Sequence, residues 1–182
     1  MAVLEIRELG EIRIELLSDL APKTVRHFLA LAEQGAYDGT TFHRVVPGFM
    51  IQGGDPNSRD RDPRNDGLGG TQPIVADERP DVSHVRGIVS LSNLGLPNTG
   101  AMQFFIVVGG DARHLDGHFA VFGHVTAGLD VVDRVTEQEI GRHGPPERPV
   151  KNVVIERVRV ERAAEGAVAA RGAAAQGAGA RG

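Results

Sequence analysis

The chain of 182 residues has no cysteine and no tryptophan, and it carries only one tyrosine and seven phenylalanines. Without thiols there is no disulfide, no thiolate nucleophile and no Cys-ligated metal, and the absence fits a reducing compartment. With so few aromatics, the core has to be assembled mainly from Val, Leu, Ile and Ala, and each phenylalanine is worth following individually. An excess of one charge is also missing: 20 Lys and Arg against 24 Asp and Glu leave a net charge of -4. No global basic field invites nucleic acid or an anionic membrane. No apolar run is long enough to span a bilayer. Glu5, Arg7 and Glu8 interrupt the N-terminal stretch where a signal peptide would need its apolar segment. The expectation is a soluble, cytoplasmic protein with one domain large enough to bury a real core.

What is present is mostly strand. Residues 3–8 and 11–17 alternate apolar and charged positions around Gly10, as a hairpin does. Pro22 suits a first helical residue and Gly35 a stop, and between them Val25, Phe28, Leu29 and Ala32 form one apolar face. Strand-like segments then return at 41–46, 49–52, 87–92, 103–108 and 119–125, with a polar loop at 53–72. A second short helix is expected at 128–135, turning Leu129, Val132 and Val135 inward. The last strand, 151–161, loses its alternation near Glu156, which marks a bulge. Eight short strands and two helices predict a mainly β protein, a closed eight-stranded antiparallel barrel capped by the helices. Residues 163–182 are almost entirely Ala, Gly, Arg, Glu and Gln. They read as a disordered tail on a domain comprising 1–162.

Three segments join apolar strand residues to a few polar groups: 42–55 (FHRVVPGFMIQGGD), 87–108 (GIVSLSNLGLPNTGAMQFFIVV) and 114–125 (HLDGHFAVFGHV). In the first, Arg44 shares a parity with Phe42 and Val46. A half-buried guanidinium cannot shed its charge and needs acceptors. From spacing alone Arg44 reads first as a structural ion-pair partner of a nearby Asp, and second as part of a small-ligand or peptide site with Phe49, Met50 and Gln52. His114 and His118 are separated by Leu-Asp-Gly, which reads as a turn, so they need not share a face and no metal site is expected. His27, His43, His84 and His143 read as surface or strand-edge residues.

Taken together and in this order, the three segments resemble the cyclophilins, with a Phe-His-Arg strand leading through Pro-Gly-Phe-Met to Gln-Gly-Gly-Asp, then Ser-Asn, Pro-Asn-Thr and Gln-Phe-Phe, then Leu-Asp-Gly and Val-Phe-Gly. The likeness runs from about residue 3 to 160. It implies a peptidyl-prolyl cis-trans isomerase that assists protein folding. It also implies roles for single residues. Arg44 matches the catalytic arginine. Phe49, Met50, Phe105 and Leu115 match the apolar pocket for the proline ring, and Gln52 the amide near the substrate carbonyl. Ser92 and Asn93 match the segment that pairs with the peptide backbone, and Gln103 a polar residue of the neighbouring groove. Gly67, Gly69 and Gly70 match a glycine-rich loop at the site's edge. This sequence has His114 where the best-known eukaryotic pattern has tryptophan, Phe119 where it has a pocket histidine, and Leu96 as an extra residue before Pro97. His114 therefore implies weaker recognition of cyclosporin, the family's macrocyclic inhibitor. The implied partners are proline-containing peptides and unfolded or partly folded chains, met by a monomer.

The residue types suit the reaction. Rotation about a prolyl bond meets a barrier near ~18–20 kcal/mol because the C–N bond is partly double. No covalent bond has to break, so the reaction calls for no nucleophile, metal or cofactor. Two rivals remain at this stage: a barrel of this shape that grips Pro-peptides without turning them over, and a hollow ligand-binding barrel. The second would need an empty interior, which the large inward residues argue against.

Overall fold

The computed structural model describes residues 1–60, 62–110, 112–141 and 147–162. The expected tail, 163–182, and His143 lie outside them. Eight strands form one antiparallel sheet: β1 (Ala2–Ile6), β2 (Gly10–Leu16), β3 (Arg44–Val46), β4 (Met50–Gly53), β5 (Ile88–Leu91), β6 (Phe104–Val107), β7 (Ala120–Ala127) and β8 (Ile155–Val160). Two helices complete it, α1 (Pro22–Glu33) and α2 (Leu129–Thr136). The strand order is β3-β4-β6-β5-β7-β2-β1-β8.

The expected closed barrel is corrected here. The two ends of the sheet, β3 and β8, are not joined by a ladder; the isolated bridge between Thr41 and Val154 stands where the closing pair would be. The reason is length. Of the expected strand 41–46 only Arg44–Val46 is extended and paired in the sheet, and of 151–161 only Ile155–Val160. The gap is spanned by single backbone bonds, Phe42 N–H to Val153 O at 2.9 Å and Val45 N–H to Glu147 O at 2.7 Å. The sheet is an open half-barrel.

The irregularity near Glu156 is where the sequence places it. Glu5 faces Arg157 but the next residue, Ile6, faces Ile155, so Glu156 is the unpaired extra residue of a bulge. Helix α1 starts at Pro22. It ends with Gly35 at φ 68° and the paired bonds Gly35 N–H to Ala32 O and Ala36 N–H to Leu31 O, which cap the last turn. Its first turn has no cap of its own. The carboxylate of Glu78, arriving from a distant loop, accepts from Lys23 N–H, Thr24 N–H and the Thr24 hydroxyl at 2.7–3.0 Å.

Apolar residues fall into two clusters on opposite faces of the sheet. The larger fills the interior, where Phe28, Tyr37, Phe42, Phe104 and Phe122 pack with ring centroids 5.0–6.2 Å apart, and Leu4, Ile12, Ile14 and Ile155 surround them. This interior is packed with side chains, against the hollow barrel that a ligand-binding reading would need. The smaller cluster lies outside the half-barrel and consists of Met50, Ile88, Phe105, Val107, Ala112 and Val121. Strand β6 serves both. Phe104 and Ile106 point inward, Phe105 and Val107 outward, and all four are buried.

Candidate active site

The outer cluster is the floor of a cavity of about 260 Å³ lined by Arg44, Phe49, Met50, Gln52, Ser92, Asn93, Phe105, Leu115 and Phe119. Nine of the eleven residues singled out from the sequence therefore meet in one place. The pleat explains how. Arg44 faces Gln52 across β3 and β4, Gln52 faces Phe105 across β4 and β6, and Phe105 faces Ser90 across β6 and β5. Phe105 and Phe119 meet edge to face, centroids 5.2 Å apart at 88°, and form one apolar wall.

One expectation about Arg44 fails. Phe42 does not share its face; it is fully buried in the interior with Val45, whereas Arg44 and Val46 turn outward. Regular pairing begins only at Arg44, so the alternation cannot be carried back to 42. Arg44 is also an ion-pair partner, but of a glutamate: its Nε–H donates to Glu147 Oε2 at 2.6 Å. It lines the cavity as well, so the two readings of this arginine hold together.

Gln103 lies in an adjoining recess of about 70 Å³, which also includes Gln52, Ser92, Asn93, Gly67, Gly69 and Gly70. Its amide nitrogen donates to Gly67 O and Gly69 O at 3.0 and 2.8 Å, and its oxygen accepts from Gln52 Nε2 at 2.8 Å. Gln103 thus clamps the glycine loop to the sheet. Asp55, fully buried, holds the same loop from below by accepting from the amides of Gly67 and Gly69. Gly69 has no room for a side chain: a Cβ there would lie 2.3 Å from Asp55 Oδ1. His114 is not in the cavity wall. Its exposed imidazole stacks on Phe49 with centroids 5.5 Å apart and backs that ring from outside.

Sequence reasoning missed a polar group under the pocket. His84 and His43, read there as surface or edge residues, are both buried, with 1% and 4% exposure. His84 lies against the ring of Phe105 with centroids 5.9 Å apart. Its Nδ1 is 2.7 Å from Asp116 Oδ1, its backbone N–H donates to the same oxygen at 2.8 Å, and its Nε2 is 2.9 Å from the Ser90 hydroxyl. The tautomer that satisfies all three puts the proton on Nδ1 and lets Ser90 donate to Nε2. The backbone N–H of His84 and then its ring hold the Asp116 carboxyl below the ordinary range, against a smaller upward push from burial. His43 has its pKa pushed down by burial, with Asp55 and Asp66 pulling the other way, and its Nδ1 has no hydrogen-bond partner. The only trace of the His84 assembly in the sequence is Asp116 within a turn; its partner is 32 residues away.

Residues 1–160 match the family described as cyclophilin type peptidyl-prolyl cis-trans isomerase/CLD. The chain is 38% identical over 165 residues to peptidyl-prolyl cis-trans isomerase CYP18-1 of Arabidopsis thaliana, covering 88% of this chain and 96% of that one. It is 41% identical over 158 residues to peptidyl-prolyl cis-trans isomerase ppi1 of Schizosaccharomyces pombe, covering 83% and 96%. Among solved structures, a cyclophilin type peptidyl-prolyl cis-trans isomerase of Cryptosporidium parvum, crystallised in the presence of the dipeptide Ala-Pro, is similar with a TM-score of 0.78 at 27% identity, over 89% of this chain and 99% of that one. By sequence along nearly all of its described length and by fold, this chain belongs to the cyclophilin-type peptidyl-prolyl cis-trans isomerases.

Proposed function

We propose that the chain isomerises Xaa-Pro bonds at the outer cavity, with Arg44 as the catalytic residue. The observation that carries this reading is the meeting of one guanidinium with five apolar side chains, Phe49, Met50, Phe105, Leu115 and Phe119, around about 260 Å³. A proline ring is compact and apolar, and it suits such a cavity better than an extended polar side chain does. As the amide twists, resonance is lost and the proline nitrogen becomes pyramidal and basic. A fixed N–H donor beside it stabilises the twisted state more than the planar one, which is what lowers the barrier. Of the five N–H donors of Arg44, Glu147 takes Nε–H, leaving the two terminal nitrogens for the substrate. Asn93 and Ser92 offer polar groups along the rim for the peptide backbone. Gln52 has its nitrogen engaged with Gln103 and Ser92, so it meets the substrate through its carbonyl oxygen.

On this reading the clients are proline-containing segments of unfolded or partly folded chains, met in the cytoplasm by a monomer of which residues 1–162 form the working unit. None of the helices among the described residues is long and apolar enough to cross a membrane. Cyclosporin binds weakly, because at position 114 a stacked imidazole takes the place of a larger indole. The test is a protease-coupled isomerisation assay on a short Ala-Pro peptide. Catalysis that saturates with peptide supports the reading. Peptide binding without acceleration of exchange overturns it in favour of a binding module.

A further inference from the structure

We infer that Glu147 is a positioning residue for catalysis: its carboxylate fixes the Arg44 guanidinium so that the terminal nitrogens are presented to the twisting amide. The inference rests on Arg44 being the catalytic donor. Three observations carry it. The contact is specific, Nε–H to Oε2 at 2.6 Å, and it engages the one guanidinium nitrogen that cannot reach past the side chain's own end. Both side chains are about two-fifths exposed, 42% and 39%. A pair so open to water adds little to stability, so its effect falls on where Arg44 points. Free in solvent, a long arginine side chain samples many rotamers, and each misplaced one removes the donor from the reacting nitrogen.

The second observation is how firmly Glu147 is itself held. Its carbonyl accepts the Val45 amide of β3 at 2.7 Å, so backbone and side chain both clasp the strand that carries Arg44. The next residue, Arg148, is anchored by its Nε–H to Asp66 Oδ2 at 2.6 Å, with side-chain exposures of only 14% and 2%, and by Nη2 to Asn152 at 2.7 Å. Asp66 adjoins Gly67 of the glycine loop. The residue after Glu147 is therefore anchored beside the glycine loop of the adjoining recess.

The third is backbone conformation. Glu147 has φ 65°, a left-handed geometry shared among the described non-glycine residues only by Glu8 and Asn98. Glu147 lies in a turn, and in this conformation its carbonyl meets the Val45 amide while its carboxylate meets Arg44 Nε–H.

The experiment measures kcat and KM on a short Ala-Pro peptide for Glu147→Ala and Glu147→Gln, each also in an Arg44→Ala background, with circular dichroism and thermal melts as fold controls. The expected result is a roughly tenfold fall in kcat for Glu147→Ala with KM within about twofold. Glu147→Gln falls less, since its carbonyl still accepts Nε–H, and neither change has an effect once Arg44 is absent. Activity at or above wild type for Glu147→Ala overturns the inference, since the carboxylate would then be neutral or a brake. A loss that persists undiminished in the Arg44→Ala background also overturns it, as an effect unconnected with the arginine. If Arg44→Ala alone keeps wild-type activity, the failure belongs to the catalytic reading of Arg44 instead.

Discussion

Replacing Arg44 is the sharpest test of the site. Arg44→Ala removes the donor proposed for the twisted amide while leaving the apolar floor, Met50 and Phe105, in place. A single preorganised donor in a dry site is worth about 3–4 kcal/mol to the transition state. Arg44 sits on the sheet's short edge strand with 42% of its side chain exposed. A bond from it to the substrate would therefore be only partly desolvated, and a figure near the lower range for charged hydrogen bonds, about 2 kcal/mol, applies. That is about thirtyfold in kcat/KM. Arg44→Lys discriminates further. It keeps the charge but has no Nε–H for Glu147 and no planar fork, so it recovers only a small part of the loss. Isomerisation is followed by the protease-coupled assay, with circular dichroism as the fold control. Near-wild-type turnover by Arg44→Ala with an unchanged spectrum would refute the reasoning and leave Arg44 as a structural partner of Glu147.

His114→Trp should tighten cyclosporin inhibition, because an indole offers more apolar area, at about 25 cal/mol per Å², and an N–H donor beside Phe49; an unchanged inhibition constant would sink the idea. Phe119→His should keep the fold and not raise kcat/KM greatly, because the imidazole must lose water to stand against Phe105. A hundredfold gain would instead mark Phe119 as a crippling substitution. Glu78 supplies an acid-sensitive contact: burial pushes its carboxyl up, but the amides of Thr24 and Lys23 and the Thr24 hydroxyl outweigh this and hold it below the ordinary range. A depressed carboxyl stabilises the fold fully above its unfolded value, about 4.3, and that contribution is lost as pH falls through the folded value. Glu78→Gln should thus lower Tm by about 1–3 °C at pH 7 and narrow its gap to wild type below about pH 4; a gap that stays constant on acidification would contradict this.

The sequence and the structure part company where contacts are long-range or strands are short. The run Phe104–Val107 is apolar at every position. Periodicity alone can say only that such a strand is buried on both sides, and here one side is core and the other is the floor of the cavity. The bulge at Glu156 was legible because a slip of alternation is local. The parity of Phe42 was not, because it depended on where regular pairing starts, and that is set by β4 across the sheet. His84 escaped for a different reason. A lone histidine between Ser83 and Val85 carries no local sign that Asp116 and Ser90 will close on it. Glu147 was equally silent, since it lies 103 residues from Arg44.

The seam between β3 and β8 bears on how this protein breathes. The arginine's strand is three residues long, paired by a ladder on one side and secured on the other by isolated bonds. Few backbone bonds hold that edge, and what opposes its opening is Val45, which is buried in the interior. The apolar floor of the cavity lies mostly further in, on β5, β6 and β7, with Met50 of β4 beside the edge strand. On the proposed reading, the pocket for the proline ring and the arginine donor thus stand on different strands, and substitutions along the seam are expected to alter the second more than the first.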